Sequence, residues 1–319
     1  MTKYKKNLNI LVTSAGVDSA QNIVKALKKS KKFKINIICS DQDKYVAGIY
    51  PKEKFFQTPS ANSKFFLKKI KEIVRINKIN FIFPCHSSEI LLFSKNKRVF
   101  EKLEVGIIVP DENTVKICNS KKSFLKFLKN FGYKFPKTFN SLSEISQYPV
   151  FIKPEKGSSS KGAHKINNLK ELKFYAKFLK DGFIVQKFEN STEYTVDCYV
   201  NKNSFLMACV PRERIRVRDG KSIIGKTHYD TKIFSLIKKL LGDMDYQGPC
   251  NVQIFKNKDN LKLIEINPRM SAGGLLLTLE AGINIPELML RDYYFGLKDI
   301  TLDFKPNIYM YKISNEIFE

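Results

Sequence analysis

The first 115 residues alternate between short apolar runs and longer stretches whose apolar side chains recur at helical spacing. The short runs predict strands and the longer stretches predict helices. The runs lie at 8–13, 35–40, 81–84 and 105–110, and the helical stretches lie at 20–27 and 65–76. Strands that alternate with helices predict a parallel, doubly wound sheet. This half lacks the GxGxxG fingerprint, so a dinucleotide site there has weak support.

After residue 115 the pattern changes. One predicted helix, 120–131, carries Phe124 and Leu128 on its apolar side, and a second contains Leu169, Leu172 and Leu179. The apolar runs predict strands at 149–154, 183–188, 193–200, 205–210, 250–255 and 261–267. Several of these strands follow one another directly, which favours antiparallel pairing and an α+β region. No internal repeat or low-complexity linker interrupts it.

Lysine dominates the charge of the chain. Its 319 residues include 56 Lys and Arg against 31 Asp and Glu, a formal net charge of +25. A basic chain can bind nucleic acid, but here the lysines are spread along every predicted helix, as is typical of solvated surfaces. Arginine is scarce outside one cluster, Arg212, Arg214, Arg216 and Arg218. We therefore expect no nucleic-acid partner, although the charge would help to attract anionic substrates.

The apolar runs and the cysteines bear on the cellular compartment in which the protein is expected. No run approaches the roughly 18 apolar residues that a membrane span needs, so we expect no membrane partner. The N-terminal apolar run is too short for a secretion signal, which predicts a cytoplasmic protein. Six cysteines are scattered without a CxxC pair, mostly in apolar runs, and this favours reduced, buried thiols. Three dispersed histidines do not form a zinc-binding pattern.

The most informative segment is NVQIFKNKDNLKLIEINPR, at 251–269. Two strands flank a polar turn, which predicts a hairpin. Side chains alternate between the faces of a strand, so Glu265 and Asn267 share a face, and reflection about residue 259 brings Gln253 opposite Glu265. Mg²⁺ prefers oxygen ligands and usually takes only one or two carboxylates. The three residues are therefore candidate Mg²⁺ ligands; the alternative is an ordinary solvated strand face.

Two cations stand at predicted strand ends. Arg269 follows Pro268, which ends the hairpin, and a guanidinium there suits a transferring phosphoryl group. Lys153 lies at the end of the strand 149–154, and the small-residue loop KGSSSKGAHK (156–165) follows. Such a loop can place backbone N–H groups over phosphate oxygens, although a flexible surface loop would have the same composition. It is not a Walker A motif, because no GKS or GKT follows a glycine at the required spacing.

The order of these features resembles the ATP-grasp superfamily, and especially one synthetase half of the large subunit of carbamoyl-phosphate synthase and single-copy ligases built like it. A Rossmann-like domain is followed by a helix that starts with lysine, a strand that ends in Lys-Pro, a glycine-rich loop, a hinge strand and the NVQ…EINPR hairpin. The likeness extends to EAGINIPELML (280–290). It implies an α/β Rossmann-like pre-ATP-grasp domain at 1–115 and an α+β ATP-grasp domain with antiparallel sheets at 116–319. The second domain would comprise a small lid subdomain, 116–188, and a larger subdomain, 189–319.

The resemblance also implies roles for individual residues. Lys121 and Lys153 would bind the phosphates of ATP, and Glu193 would accept hydrogen bonds from the ribose hydroxyls. The other cofactor-binding positions are Ser158 and Gly162 in the glycine-rich loop and Gln186, Lys187 and Phe188 in the hinge, whose backbone would hold adenine. The catalytic residues would be Arg269 and Lys153, and the Mg²⁺ ligands Gln253, Glu265 and Asn267.

The chain departs from the superfamily pattern at three positions. Lys187 stands where the hinge commonly carries Glu, and Ser120 stands where Asp often precedes the first basic residue. Gln253 stands in place of a carboxylate as the first metal ligand. This matches the carbamoyl-phosphate type but weakens the charge available to a second metal. Backbone contacts at the hinge would survive the first change, so none of the three removes a predicted role.

The implied function is an ATP- and Mg²⁺-dependent carboxylate–amine ligase, with Mn²⁺ as an alternative ion. It would phosphorylate a small-molecule carboxylate to an acyl phosphate and pass the acyl group to an amine; a homodimer is an open alternative to a monomer. Three other functions stay open. They are phosphorylation of a small carboxylate in the manner of carbamoyl-phosphate synthase, non-catalytic ATP binding, and nucleic-acid binding by a basic protein.

Substrate contacts are predicted in three places. They are His86–Glu89 after the strand 81–84, the Arg212–Arg218 cluster, and the Gly273-Gly274 turn. The first place has a second interpretation, because His86 and the serines after it also suit the cap of a helix.

Overall fold

The computed structural model describes residues 6–157, 162–178, 182–313 and 316–317. Its first part is a parallel sheet in the order β3-β2-β1-β4-β5. The strands are β1 (Lys6–Val12), β2 (Phe33–Asp41), β3 (Lys54–Gln57), β4 (Phe81–Phe83) and β5 (Gly106–Ile107). The helices are α1 (Asp18–Lys28), α2 (Phe66–Ile76), α3 (Ser87–Lys95), α4 (Lys97–Glu101) and α5 (Glu112–Asn119). The predicted α/β domain is confirmed, and β3 is a strand that the hydrophobic pattern did not reveal.

Apolar residues on both faces of β1 explain why helices cover both sides of this sheet. Leu8, Ile10 and Val12 pack into the core that contains α1, whereas Leu11 packs into the core that contains α2 and α3. A strand buried on both faces is typical of parallel sheets. The carboxyl ends of β1, β2 and β4 therefore meet at one edge of the sheet, where α1 and α3 begin.

The middle of the chain forms a small antiparallel sheet in the order β6-β9-β7-β8. Its strands are β6 (Thr138–Phe139), β7 (Val150–Pro154), β8 (His164–Ile166) and β9 (Phe183–Lys187), and the accompanying helices are α6 (Lys121–Asn130) and α7 (Leu169–Ala176). Its core is small, with Val150, Ile152, Ile166, Leu172 and Val185 buried together. Leu179, which the sequence placed on the second helix, lies outside the described residues.

The rest of the chain forms a six-stranded antiparallel sheet in the order β14-β13-β10-β11-β12-β15. Its elements are β10 (Thr192–Val200), β11 (Leu206–Arg218), β12 (Lys221–Thr227), α8 (Thr231–Asp243), β13 (Gly248–Asn257), β14 (Asn260–Asn267), α9 (Leu275–Glu280), α10 (Ile285–Phe295) and β15 (Tyr309–Tyr311). Helix α8 buries Ile233, Ile237, Leu240 and Leu241 at helical spacing under this sheet. Together the two antiparallel sheets confirm the predicted α+β region.

The two halves of the chain share a core. Met270, α9 and α10 pack with α1 and with Tyr199 and Val210 of the large sheet. This packing places the end of β14 beside the start of α3. The predicted domain boundary near residue 115 lies inside α5, and Val115 belongs to the core of the parallel sheet. The division into 1–115 and 116–319 stays a prediction.

Two compositional expectations can be compared with the structure. All six cysteines are free thiols, and five of them are buried, as the apolar runs around them predicted. Across the described ranges, no helix has the length and apolar character needed to cross a membrane.

Candidate active site

The hairpin of β13 and β14 places Gln253 opposite Glu265, as predicted. The cause is not simple reflection of the chain. The hairpin loop has two residues, so a regular ladder would place Gln253 opposite Ile264. A shift of register after Gln253 inserts one extra residue on β14, and this β-bulge moves Glu265 to the opposing position.

Hydrogen bonds order the oxygen atoms of this patch. The side-chain amide of Asn267 donates to Glu265 Oε1 at 3.1 Å and to Asn251 Oδ1 at 3.2 Å. The Asn251 amide in turn donates to the carbonyl oxygen of Arg269 at 3.0 Å. Because these bonds use the nitrogen of the Asn267 amide, they leave its oxygen and Glu265 Oε2 uncommitted. With Gln253, the patch offers one carboxylate and two amide oxygens, which fits Mg²⁺ when water and phosphate complete the shell.

This donor set is unlike a site for a softer metal. Within the ranges that the structure describes, no three His, Cys, Asp or Glu side chains come together in a way that could hold a metal ion. A divalent cation at Glu265 would depend on one protein carboxylate and on oxygen atoms supplied by its ligand. Such partial coordination is the usual way in which proteins bind Mg²⁺ together with a nucleotide.

A cavity of about 170 Å³ adjoins the patch, because Gln253 and Glu265 both line it. Several of its lining residues are charged. They are four cations and two carboxylates: Lys121, Lys153, Lys156, Arg214, Glu193 and Glu265. The excess of positive charge suits a polyanion such as the phosphates of a nucleotide.

Lys153 is the most deeply placed of these cations. It lies near the end of β7, and only 6% of its surface is exposed. Burial lowers the pKa of Lys153 to about 8; Glu265 opposes this shift, while Lys121 adds to it. An anion that entered the cavity would stabilise the charged ammonium of Lys153, so electrostatic attraction favours anion binding.

Lys121 begins α6 and connects that helix to the glycine-rich loop. Ser120 caps the helix by accepting from Ser123 N, and it also donates to Glu155 Oε1 at 2.8 Å. The Lys121 ammonium donates to the carbonyl oxygen of Gly157 at 3.2 Å. Burial lowers the pKa of Lys121, and Glu265 opposes the shift. Serine therefore fulfils the capping role at the position where the superfamily often has Asp.

A second, larger cavity of about 520 Å³ continues from the first and shares Lys153, Glu193 and Arg214 with it. Its walls come from both antiparallel sheets and are largely apolar. The apolar lining residues are Pro136, Phe151, Phe188, Ile215, Phe255 and Ile264. A slot of this size between aromatic and aliphatic walls suits the base and ribose of a nucleotide.

The hinge residues Gln186, Lys187 and Phe188 line this slot, but two of their backbone amides are already used. Lys187 N donates to the carbonyl of Lys137 at 2.8 Å, and Phe188 N donates to the carbonyl of Pro149 at 3.4 Å. These two N–H groups are therefore not free to donate to adenine, and the prediction that the backbone of 186–188 holds adenine stays a prediction. The Gln186 side chain is buried and donates to Thr138 Oγ1 at 2.9 Å, so it fixes the hinge to β6.

Glu193, the predicted ribose acceptor, lies on β10 at the junction of the two cavities. Burial raises the pKa of the Glu193 carboxyl, and Arg214 opposes that shift. The Arg214 Nε atom lies 3.3 Å from Glu193 Oε1. The carboxylate is thus held by one cation on the neighbouring strand and still borders the nucleotide slot.

Arg269 lies between the hairpin and the parallel-sheet domain. Its Nε donates to Ser87 Oγ at 3.2 Å and its Nη1 donates to the Met270 carbonyl at 3.2 Å. Burial lowers the pKa of the Arg269 guanidinium, and Glu265 opposes the shift. Arg269 and Glu265 also line a third cavity, of about 60 Å³, beside the oxygen patch. This small cavity could admit a carboxylate next to the phosphate-sized one.

The structure divides the arginine cluster. Arg212 is 1% exposed and pairs with Asp197, donating from Nε and Nη2 at 2.9 Å each. A Cβ atom at Gly274 would lie 1.8 Å from Arg212 Nη1, and one at Gly273 would lie 2.9 Å from Ser222 N, so the turn has no room for side chains. Gly273 also lines the small polar cavity. Arg216 and Arg218 are exposed and line none of the three cavities. Arg212 and Arg214 both line the small polar cavity, and Arg214 also lines the other two, so for these two residues a substrate contact stays a prediction.

His86–Glu89 form the cap of α3. The His86 side chain accepts from Ser88 N, and Glu89 Oε2 accepts from His86 N, which makes a capping box. Glu89 is buried and also accepts from Thr13 Oγ1 at 2.7 Å. The capping interpretation is correct, while Ser87 in addition contacts Arg269.

The glycine-rich loop is described only in part. Ser158, a predicted cofactor contact, lies outside the described residues, which resume at Gly162. Gly162 adopts φ +74° in the turn before β8, a conformation that favours glycine. On the described sides of the loop, Lys156, Gly157 and Ala163 line the phosphate-sized cavity.

Sequence analysis missed some residues of the site. Asn251 and Phe255 share the face of β13 that carries Gln253, so strict alternation around Gln253 would have found both. Phe151 and Ile264 would not have been found, because their place in the slot depends on how the two sheets face each other. Arg214 was predicted only as one member of a cluster, since its sequence gives no sign of how it differs from Arg212.

Two protein-family models match the chain. Residues 10–108 match the PylC-like, N-terminal domain, and residues 180–310 match the family described as ATP-grasp in the biosynthetic pathway with Ter operon. Each match covers the part of the chain in which the corresponding architecture occurs: the parallel sheet in the first case and the large antiparallel sheet in the second.

Curated relatives agree with these matches. The chain is 24% identical to 3-methyl-D-ornithine--L-lysine ligase from Methanosarcina mazei over 72% of this chain and 60% of the ligase. It is 23% identical to the large chain of carbamoyl phosphate synthase from Pseudothermotoga lettingae over 66% of this chain and 22% of the synthase. The chain thus spans less than two thirds of either relative.

A solved structure shows the same fold. The biotin carboxylase domain of 2-oxoglutarate carboxylase from Hydrogenobacter thermophilus, solved with MgADP, ADP and bicarbonate, superimposes with a TM-score of 0.73 at 14% identity. The match covers 95% of this chain and 73% of that one. The protein has an ATP-grasp fold. In its N-terminal half it is similar to PylC-like proteins, and the predicted resemblance to carbamoyl-phosphate synthase and single-copy ATP-grasp ligases is confirmed.

Proposed function

We propose that this protein is an ATP- and Mg²⁺-dependent ligase that joins a small-molecule carboxylate to an amine. The observation that carries the proposal is the sequence of three connected cavities, which run from an apolar slot to a cationic pocket and then to a small polar one. Gln253 and Glu265 lie where the cationic pocket and the small polar cavity meet. The similarity to 3-methyl-D-ornithine--L-lysine ligase supports carboxylate and amine substrates as a class.

In this proposal the slot takes the adenosine part of ATP. Phe151, Phe255 and Ile264 would enclose the base, and Glu193 would accept from the ribose hydroxyls. We assign the backbone donor for adenine to Glu189 rather than to Lys187 or Phe188. Glu189 lines the slot, and its amide has no backbone partner among the described residues.

The phosphates would occupy the cationic cavity. Lys121 and Lys153 would bind phosphate oxygens from the lid side, and Lys153 is charged when that anion is present. Gln253, Glu265 and Asn267 would hold Mg²⁺, which when bound supplies positive charge to the phosphates and fixes their orientation. The solved neighbour that contains MgADP supports this cofactor pair.

The substrate carboxylate would lie in the small cavity near Arg269. One of its oxygens attacks the γ-phosphorus of ATP, the bond to the bridging oxygen breaks, and ADP leaves. Arg269 and Lys153 neutralise charge on the transferred group from opposite sides. The amine nitrogen then attacks the acyl carbon of the acyl phosphate and loses a proton, and inorganic phosphate departs. The lid subdomain and its glycine-rich loop would exclude water from the acyl phosphate.

The six free thiols suit a reducing compartment, and we therefore place the reaction in the cytoplasm. The test of function is a screen of small carboxylic acids and amino acids, singly and in pairs, for stimulated release of ADP from MgATP. We expect at least one pair to raise release well above the rate with MgATP alone and to yield an amide detectable by mass spectrometry. ATP binding without release for any pair would favour a non-catalytic nucleotide-binding protein.

A further inference from the structure

Arg214 occupies a position that the other site residues do not share. Among the residues that the structure describes, it alone lines all three cavities: the apolar slot, the phosphate-sized cavity and the small polar cavity. It lies on β11, next to β10, which carries Glu193 and Thr195. A side chain at the common border of three cavities is placed to contact a group that moves between them.

The guanidinium of Arg214 is incompletely paired. Its Nη1 donates to Thr195 Oγ1 at 3.3 Å and its Nη2 donates to the Gly220 carbonyl at 2.9 Å, and each of these nitrogens keeps a second N–H. Only 7% of the side chain is exposed, and Nε is buried without a hydrogen-bond partner in the described part of the chain. Glu193 Oε1 lies 3.3 Å from Nε but is not aligned to accept from it.

Arg212, two residues earlier, shows what a paired arginine looks like in this sheet. Its Nε and Nη2 reach both carboxylate oxygens of Asp197, and Nη2 also donates to Ser271 Oγ at 3.1 Å. Buried polar groups are normally satisfied in this way. A buried guanidinium with unused donors beside a cavity therefore indicates a ligand oxygen that completes its set of partners.

The charge of the surroundings favours a phosphoryl oxygen. The cavity that Arg214 shares with Lys121, Lys153 and Lys156 has more cations than carboxylates. The planar guanidinium fork presents two N–H groups to phosphoryl oxygens in a fixed geometry, whereas the donors of an ammonium rotate freely. We propose that Arg214 donates to the γ-phosphoryl group of ATP and holds it at the border of the cavity in which Arg269 lies. This inference rests on the proposed function.

The experiment measures the preference of the protein for a γ-phosphate. Calorimetry with Mg²⁺ gives the affinity for ADP and for a non-hydrolysable ATP analogue with an imido bridge between the β- and γ-phosphates. Arg214→Met should weaken binding of the analogue by about ten- to a hundredfold, while ADP affinity changes by less than about threefold. Arg214→Lys should fall between the wild type and Arg214→Met, because it restores charge without the fork.

Arg216→Met is the matched control, since Arg216 lies on the same strand, is exposed and lines none of the cavities. It should leave both affinities unchanged. Thermal unfolding of every variant separates a folding defect from a binding defect; if Arg214→Met does not fold, Arg214→Lys supplies the measurement.

An equal loss of ADP and analogue affinity would overturn the inference, because Arg214 would then act only through Glu193 at the ribose. Unchanged affinities in a folded Arg214→Met protein would also overturn it, and in that case the proposed function would stand. A wild-type protein that binds neither nucleotide would instead overturn the proposed function, and this inference with it.

Discussion

Two charge clusters lie next to each other on one face of the large sheet's central strands, and they are completed in different ways. In the first, Arg212 and Asp197 are fully buried and bonded to each other, and Thr278 and Ser271 add further hydrogen bonds. In the second, Arg214 and Glu193 face the cavities with donors and acceptors still unused. Both use the same chemical groups on the same two strands. A cluster that is satisfied internally stabilises the fold, whereas one that is left incomplete is available to bind.

The difference begins with single residues around each arginine. Asp197 accepts two hydrogen bonds from Arg212, and Gly274 allows the backbone to pack against that guanidinium. Arg214 has a hydroxyl and a carbonyl as partners instead of a well-aligned carboxylate. Substitutions in the two clusters should therefore affect different quantities: stability in the first cluster and nucleotide chemistry in the second.

The largest effect is expected at Glu265, which lines the phosphate-sized cavity together with Arg214 and Glu193 of the incomplete cluster. Glu265→Gln keeps the shape of the side chain and removes the only carboxylate among the three predicted metal ligands. Because Mg²⁺ would lose its charged ligand, acceptor-stimulated ADP release should fall by roughly two to four powers of ten. The free energy of unfolding should fall by only about 1 kcal/mol, since no cation of the described residues forms a direct ion pair with Glu265, although its charge favours the ammonium of Lys153 and the guanidinium of Arg269.

Asp259→Asn is the control for this prediction. Asp259 belongs to the loop of the same hairpin, and its side chain is 80% exposed. The Asp259→Asn protein should release ADP at the wild-type rate. Near-normal turnover of Glu265→Gln would show that Glu265 is an ordinary strand residue and that the metal binds elsewhere.

The complete cluster should respond in the opposite way. Asp197→Asn leaves the Arg212 charge buried without its counter-ion, and breaking a buried pair in this manner costs about 3–5 kcal/mol of stability. Denaturant unfolding measures this loss, with Glu112→Gln, which breaks the exposed Glu112–Lys116 pair, as the control. The double variant Asp197→Leu with Arg212→Met should recover much of the stability. A loss as small as that of the surface control would contradict the assigned role of the pair.

Much of the fold could be predicted from the sequence because its signals are local. The apolar runs of β1, β2 and β4 and the helical spacing in α2 need no partner to be recognised. Strand β3 was missed because KFFQ is short and sits at the sheet edge, where only pairing with β2 defines it. Strand β12 was missed for a related reason: the polar sequence KSIIGKT does not alternate clearly, yet β11 and β15 pair with it.

In the candidate site, too, local features could be predicted from the sequence and contacts between distant segments could not. Alternation placed Glu265 and Asn267 on one face, but the position of Gln253 opposite Glu265 depends on a bulge that has no signature in the sequence. Contacts between separate sheets could not be predicted. The hydrogen bonds that occupy the Lys187 and Phe188 amides come from Lys137 and Pro149, and they depend on how the lid strands assemble.

A smaller effect than those at Glu265 and Asp197 is expected at Lys153. Lys153→Ala removes a buried cation that would bind the phosphates, so the free energy of ATP binding should weaken by about 1.5–3 kcal/mol. Lys122→Ala, an exposed neighbour of Lys121 on α6, is the matched control and should bind ATP normally. Calorimetry that gives the same ATP affinity for the wild type and a folded Lys153→Ala protein would remove Lys153 from the site.

The smallest expected effect is a dependence of ADP affinity on pH, caused by the titration of Lys153 beside the incomplete cluster. Burial lowers the pKa of Lys153 to about 8, so the free protein loses this charge as pH rises past that value. Bound phosphate requires the ammonium form, and above pH 8 the protein must take up a proton to bind. Each further pH unit then costs about 1.4 kcal/mol, or about tenfold in affinity, until the pKa of the bound state is reached.

ADP affinity without divalent ions should therefore be nearly constant below pH 7.5 and fall by about tenfold between pH 7 and 9. Lys153→Arg keeps its charge throughout this range because the arginine pKa exceeds about 12, so its affinity should not change with pH. The same slope in Lys153→Arg as in the wild type would show that another group titrates, and that Lys153 does not meet the phosphates.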